Sequence, residues 1–181
     1  MDKINFTPFP NLETERLILR QITFKDEKEF HILKSDERIL EFLNTKPKTL
    51  DEARQFLKKI NDGIVRNEWI MWGITFKNEN KLIGSICFWN IVEEQSKAEV
   101  GYDLMPEYQG KGIMSEAIKA VIEYGFENMK LNLIEALPYS NNAKSIKLLD
   151  RNNFIRGENC KENDFSEEMI RYEYRNKKWR E

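Results

Sequence analysis

The sequence predicts an α/β fold built around one mixed, mostly antiparallel sheet. Short segments that are apolar throughout, or in which apolar and polar residues alternate, predict about seven strands. Stretches with apolar residues three and four positions apart predict about four helices. Strands and helices interleave along the chain rather than forming separate blocks, so we expect a single domain over residues 1–181.

The strands are predicted at residues 16–21, 69–77, 82–89, 98–104, 131–137, 154–158 and 169–175. Helices are predicted at residues 23–33, 49–60, 113–126 and 142–149, with a short one at 37–43. Two helix starts carry capping boxes, Thr23 with Asp26 and Thr49 with Glu52, and Asn142 is a favourable N-cap. The polar turn at 78–80 makes the flanking strands antiparallel partners.

A glycine-bearing turn joins the strand at 98–104 to an amphipathic helix. The first turn of a helix leaves about four backbone N–H groups without a partner at the positive end of its dipole, so an anion can bind there. Gly110 and Gly112 allow close approach of the backbone and permit a positive φ. Spacing alone fits a phosphate site and a ligand-free turn equally well.

Two common phosphate-binding motifs do not match this turn. A P-loop has a glycine five residues before its Gly-Lys-Ser/Thr, whereas Met105 occupies that position and Gly112 follows Lys111. The dinucleotide-binding fingerprint needs a third glycine and an acidic residue about twenty positions later, and both are missing.

The turn instead resembles the acetyl-CoA pyrophosphate loop of the GNAT superfamily of N-acetyltransferases, written Gln/Arg-x-x-Gly-x-Gly/Ala. The matching residues are Gln109, Gly110, Lys111, Gly112, Ile113 and Met114. Met114 stands where the family has a small residue. Four further segments, at 14–20, 82–86, 99–102 and 142–146, resemble the ribosomal-protein N-terminal (alanine) acetyltransferase branch in the same order. Together the resemblance covers about residues 12–175.

This resemblance implies a sheet splayed between the predicted fourth and fifth strands, and transfer of acetyl from acetyl-CoA to a primary amine in a ternary complex. The amine would be a protein N-terminal α-amine or a small molecule. The residues implied to bind acetyl-CoA are Leu104, Met105, Gln109, Gly110, Lys111, Gly112, Ile113, Met114, Ser115 and Asn142. Leu104 and Met105 would pair with the pantetheine arm through main-chain groups, and Ser145 would protonate the departing thiolate.

The general base is less clearly marked. Glu99, Asp103 and Glu135 lie on the strands that should flank the reaction centre, and we assign the role to Glu99. Alternation places Glu99 and Asp103 on one face of their strand and Tyr102 on the other. Glu99 therefore faces either the site or the rim of the sheet.

Composition excludes several other classes. The net charge is −2 and no basic cluster with interleaved aromatics occurs, so direct nucleic-acid binding is not expected. His31 is the single histidine, which excludes a histidine-ligated metal and a serine–histidine triad, and Cys87 and Cys160 form no metal motif. The sequence contains neither an apolar run of membrane-spanning length nor a signal peptide, so we expect a cytoplasmic protein with no membrane partner.

Three questions stay open in the sequence. A non-catalytic acetyl-CoA sensor would keep the same turn, and an acetyltransferase could act on an amino acid, a polyamine or an antibiotic. The acidic segment between the last two strands would attract a cationic amine, or would simply be solvated. Its residues are Glu158, Glu162, Asp164, Glu167 and Glu168. The oligomeric state is undetermined, with a homodimer as one option.

Overall fold

The computed structural model describes residues 4–42, 45–160 and 168–176. The strands are β1 (Leu12–Glu13), β2 (Leu17–Gln21), β3 (Ile70–Phe76), β4 (Gly84–Val92), β5 (Lys97–Leu104), β6 (Leu133–Ala136), β7 (Ile155–Cys160) and β8 (Met169–Arg175). The helices are α1 (Glu27–Leu33), α2 (Glu37–Leu40), α3 (Leu50–Val65), α4 (Ile113–Glu127) and α5 (Ala143–Arg151). Short 3-10 turns precede α1 and α4 and connect β4 to β5.

The strands of the described residues form one sheet in the order β1-β2-β3-β4-β5-β6-β8-β7. All neighbours pair antiparallel except β5 and β6, which confirms the predicted mixed, mostly antiparallel α/β fold. The strand beyond the predicted seven is β1. Its two residues pair only with Leu19 and Ile18, and such a short segment has no detectable periodicity.

The predicted capping residues lie at the expected starts, because Thr23 caps the 3-10 turn that continues into α1, Thr49 caps α3 and Asn142 caps α5. Both predicted capping boxes form, at Thr23 with Asp26 and at Thr49 with Glu52. In each box the threonine side chain accepts a hydrogen bond from a backbone N–H of the first turn, and the acidic side chain accepts one from the backbone N–H of the threonine. The short helix α2 ends at Leu40, earlier than predicted, and residue 43 lies outside the described residues.

Large buried side chains fix α4 against the sheet, and α4 begins at the candidate anion-binding turn. Trp72 of β3 makes edge-on contacts with Phe88 and with Tyr124, with ring centroids 6.2 and 5.4 Å apart. At Gly125 a side chain would come within 3.0 Å of the Phe88 ring, so glycine allows this close packing. No helix in the part of the chain that the structure describes is long and apolar enough to cross a membrane.

The sheet opens between β5 and β6. These two strands pair at three positions, Lys97 with Leu133, Ala98 with Ile134 and Glu99 with Glu135. Beyond Glu99, β5 continues to Leu104 whereas β6 ends at Ala136. This is the predicted splay, and it leaves one edge of residues 100–104 facing a cleft instead of a strand.

Candidate active site

The turn before α4 has the backbone conformation that its glycines predicted. Gly110 and Gly112 have φ values of 76° and 75°, in the left-handed region that glycine tolerates best. Gly112 is the N-cap of α4 and provides no capping side chain, whereas Asp36, Thr49 and Asn142 cap α2, α3 and α5. The first-turn amides of α4 therefore stay open to an anion.

A cleft of about 710 Å³ extends from this turn to the splay. Eight of the residues predicted to bind acetyl-CoA line it: Leu104, Gln109, Gly110, Gly112, Ile113, Met114, Ser115 and Asn142. The side chain of Gln109 joins two of its walls, because its amide nitrogen donates to the Leu104 carbonyl and its oxygen accepts from the Lys144 ammonium, both at 3.0 Å. The Ser115 hydroxyl donates a hydrogen bond to the Asn152 side-chain oxygen at 2.8 Å. If Ser115 binds an anion at the turn, it would therefore do so through its backbone amide.

Two of the residues predicted to bind acetyl-CoA, Met105 and Lys111, are not among the residues that line this cleft. The Met105 amide donates to the Ile83 carbonyl at 2.9 Å, and the Met105 carbonyl accepts from the Tyr108 amide at 3.0 Å. Both main-chain groups thus already have a partner in the structure, and pairing of Met105 with the pantetheine arm stays a prediction. The Lys111 ammonium lies 5.8 Å from the centroid of the Tyr108 ring.

More cationic than acidic side chains line the cleft, although the chain carries a net charge of −2 and one of the cations, Arg38, is paired with Asp36. Four cationic side chains line it: Arg38, Lys144, Lys147 and Arg151. The acidic residue among the lining residues is Asp103, whose carboxylate forms a buried ion pair with Lys34. Sequence reasoning missed these cations, although three of them recur at helical spacing on α5 and could have been found from that pattern.

A second cavity of about 290 Å³ adjoins the cleft. Its walls are mostly apolar or aromatic, and include Phe42, Met71, Trp89, Pro138, Tyr139 and Met169. The two cavities share five lining residues, namely Phe42, Tyr102, Asp103, Asn142 and Ser145. A molecule in one cavity can therefore meet a molecule in the other beside these side chains.

Ser145 and Tyr102 form a hydrogen bond at the junction of the two cavities. The hydroxyl oxygens are 2.6 Å apart, and the Ser145 amide donates to the Asn142 side chain at 3.0 Å. Burial raises the pKa of the Tyr102 hydroxyl to about 12, against the opposing effect of its hydrogen bond with Ser145. Tyr102 is thus a neutral hydroxyl near pH 7, and sequence reasoning did not identify it as a site residue.

The structure separates the three candidate bases. Glu99 is buried, lines the second cavity and accepts from the Asn90 side-chain amide at 3.0 Å. Glu135 pairs with Lys97 and Arg171, both at 3.1 Å, and is not among the residues that line either cavity. Asp103 is bound by the Lys34 ammonium and by the Ser85 amide and hydroxyl at 3.0 and 2.6 Å.

Cys87 is the thiol in the second cavity. Burial raises its pKa to about 12, and the nearby Asp103 and Glu99 carboxylates act in the same direction, whereas the Lys34 ammonium and a hydrogen bond to the Gly101 backbone oppose the shift. The thiol is therefore protonated near pH 7, and a protonated thiol is a poor nucleophile. This environment disfavours an acetyl-cysteine intermediate.

Other predicted features lie away from these cavities or outside the described residues. In the acidic segment, Glu162, Asp164 and Glu167 fall outside the described residues, whereas Glu158 and Glu168 are exposed. Within residues 4–42, 45–160 and 168–176, no group of three or more His, Cys, Asp or Glu side chains could hold a metal ion.

Comparisons with known proteins identify the family. A family model described as an acetyltransferase (GNAT) domain matches residues 16–155. The chain is 37% identical over 144 residues to the uncharacterized N-acetyltransferase p20 of Bacillus licheniformis, an alignment that covers 79% of this chain and 81% of that protein. The chain therefore belongs to the GNAT family, and its enzyme class is N-acetyltransferase.

Solved structures agree with this assignment. Ribosomal-protein-S5-alanine acetyltransferase from Vibrio fischeri matches with a TM-score of 0.82 and 25% identity over 95% of this chain and 100% of that chain. This match confirms the resemblance to the ribosomal-protein branch. Spermidine N-acetyltransferase from Vibrio cholerae, solved with CoA and spermine, has the same fold, with a TM-score of 0.77 and 23% identity over 88% of this chain and 95% of that chain.

Proposed function

We propose that this enzyme transfers an acetyl group from acetyl-CoA directly to a primary amine while both substrates are bound. The observation that carries the proposal is the junction of two cavities at Tyr102, Asn142 and Ser145. The larger cavity begins at an open helix N-terminus and suits the coenzyme, and the smaller one suits the amine. Substrates held at such a junction react without an intermediate on the enzyme.

The larger cleft fits a polyanionic ligand. The diphosphate of acetyl-CoA would accept hydrogen bonds from the amides that follow Gly110, at the positive end of the α4 dipole. Lys144, Lys147 and Arg151 of α5 add positive charge along the same cleft. The pantetheine arm would lie along the open edge of β5 near Leu104, with Asn142 facing it from α5.

In the chemical step the amine nitrogen attacks the thioester carbonyl carbon, and the carbon–sulfur bond then breaks. The attacking amine gives a proton to Glu99, directly or through one water, and the leaving thiolate takes a proton from the Ser145 hydroxyl. Solvent then returns a proton to Ser145 and removes one from Glu99, which restores both side chains. A main-chain amide of β5 near the splay would stabilise the charge that develops on the carbonyl oxygen. The products are an amide and free CoA.

For the acceptor, we propose a protein N-terminal α-amine. The similarity to the S5-alanine acetyltransferase of Vibrio fischeri supports this choice. The smaller cavity, of about 290 Å³, is also mostly apolar, which suits the first residue of a peptide better than a long polycation. Glu99 would attract the ammonium group of the incoming amine before it loses its proton. We also propose that the enzyme is cytoplasmic.

An acceptor panel tests the function. The protein is incubated with acetyl-CoA and one acceptor at a time, which is a peptide with a free α-amine, an amino acid or spermidine. The release of free thiol is followed with a chromogenic disulfide. We expect thiol release with at least one peptide, matched by a mass gain of one acetyl group on that peptide. Release with spermidine alone would replace the protein acceptor by a small amine. CoA binding without turnover on any amine would favour the sensor alternative.

A further inference from the structure

Arg16 connects the N-terminal strands to the turn that precedes α4. Its Nε donates to Glu116 Oε2 at 2.6 Å, and its Nη1 donates to the Lys111 carbonyl at 3.2 Å. Glu116 is in the first turn of α4, and Lys111 lies between the two glycines of the turn. One guanidinium group thus contacts both the helix start and the loop before it.

Glu116 receives two more hydrogen bonds from the same strand region. Its Oε1 accepts from the Thr14 hydroxyl at 2.5 Å and from the Arg16 amide at 2.8 Å. Burial opposes ionisation, but the bonds from Thr14 and Arg16 hold the pKa of Glu116 below its usual value. The carboxylate is therefore charged near pH 7 and anchors the guanidinium.

The contact with the Lys111 carbonyl has a consequence for the next amide. In a trans peptide the C=O and the following N–H point in opposite directions. A carbonyl held on Arg16 therefore turns the Gly112 N–H away from the guanidinium. The guanidinium lies next to Gly112, because a side-chain carbon placed on Gly112 would be at an ordinary contact distance of 3.6 Å from Arg16 Nη2.

We propose that Arg16 is a positioning residue, which orients the peptide between Lys111 and Gly112 so that the turn presents its amides to a diphosphate. The inference rests on the proposed function, because it assumes that the diphosphate belongs to acetyl-CoA. A turn already held in the bound conformation loses less conformational freedom on binding, so its affinity is higher. Arg16 acts from behind the turn and is not itself a catalytic residue.

The chain offers a matched control for this contact. Arg54 forms a similar surface ion pair, with its Nε 2.7 Å from Glu27 Oε2, and its side chain is 45% exposed compared with 43% for Arg16. The Arg54 pair joins α3 to α1, and neither residue lines the cleft. Exposed ion pairs contribute little to stability, so Arg16→Gln and Arg54→Gln should both stay folded.

The test compares CoA with pantetheine, which lacks the diphosphate together with the 3′-phosphoadenosine that it carries. Dissociation constants for CoA and for pantetheine are measured by NMR titration for wild type, Arg16→Gln and Arg54→Gln, with thermal unfolding as a check on folding. We expect Arg16→Gln to raise the Kd for CoA about tenfold and to leave the Kd for pantetheine unchanged. Arg54→Gln should change neither Kd.

A second variant distinguishes orientation from charge. Glu116→Gln removes a negative charge near the turn, so simple electrostatics would make CoA bind more tightly. If Glu116 anchors Arg16, the same variant should instead weaken CoA binding, by about threefold. The proposal is overturned if Arg16→Gln binds CoA like wild type, if it loses CoA and pantetheine affinity equally, or if Glu116→Gln binds CoA as tightly as wild type or more so. Wild-type protein that binds no CoA would refute the proposed function itself.

Discussion

The hydroxyl groups of Tyr102 and Ser145 are 2.6 Å apart, and they join β5 to α5 where the two cavities meet. The contact spans 43 residues of sequence and depends on the splay, because β6 would otherwise cover that edge of β5. It places a pair of neutral hydroxyls beside the expected position of the thioester sulfur.

Replacing Ser145 should slow the chemical step without affecting coenzyme binding. Ser145→Ala keeps the amide that donates to Asn142, so the helix start is preserved. We expect kcat to fall about 100-fold, a typical contribution of acid–base catalysis, with an unchanged Kd for CoA. Tyr102→Phe, which removes the partner hydroxyl, should reduce kcat in the same direction by a smaller factor. A Ser145→Ala enzyme with wild-type kcat would remove Ser145 from the mechanism.

Glu99 and Glu135 provide a matched pair of variants. They lie opposite each other on β5 and β6, but only Glu99 lines a cavity, since Glu135 is held by Lys97 and Arg171. Glu99→Gln should lower kcat about 100-fold through loss of the base, whereas Glu135→Gln should retain most of it. Steady-state kinetics with saturating acetyl-CoA makes the comparison. The reverse ranking would transfer the role of base to Glu135.

Cys87 should be dispensable for catalysis. Because burial keeps its thiol protonated, we expect Cys87→Ala to turn over at a rate close to that of wild type. Rapid mixing with acetyl-CoA in the absence of an amine should release no burst of free CoA. Intact-protein mass spectrometry provides a direct check, since an acetylated enzyme that loses its label on addition of the amine would establish a two-step mechanism.

The Lys34–Asp103 ion pair should contribute strongly to stability. Lys34 and Asp103 are 9% and 5% exposed at their side chains, and removing one partner of a buried pair typically costs about 3–5 kcal/mol. Lys34→Met should therefore lower the free energy of unfolding measured in urea by an amount in this range. The double variant Lys34→Met/Asp103→Asn should lose less unfolding free energy than the sum of the losses of the two single variants.

Lys58→Met, in the exposed Lys58–Asp62 pair, serves as the control, and its free energy of unfolding should change little. Equal effects of the two lysine variants would contradict the account.

Local chemistry made most of the fold predictable. Capping boxes at Thr23 and Thr49 start their helices as expected, and Gly110 and Gly112 adopt the positive φ that their place in the turn required. These features depend on neighbours within a few residues, so the sequence contains the needed information. The splay was predicted from family resemblance, since periodicity alone does not show where two strands diverge.

The parts of the site that escaped prediction depend on distant contacts. Tyr102 gains its place in the site only when α5 brings Ser145 to it, and Glu116 makes its main bonds with residues about one hundred positions earlier. Met105 was assigned to the pantetheine arm from the family resemblance. Its pairing with Ile83 and Tyr108 depends on how the chain turns after β5, which spacing does not show.

The most direct test of the account is calorimetric titration of the folded protein with CoA. The open amides after Gly110 and the cations of α5 predict saturable binding at one site per chain, weakened by salt because charge contributes to it. Gly112→Ala should bind more weakly, because a residue with a side chain is strained at a φ of 75°. Folded wild-type protein that gives no binding heat with CoA or acetyl-CoA at several temperatures would contradict the central claim that this turn holds the coenzyme.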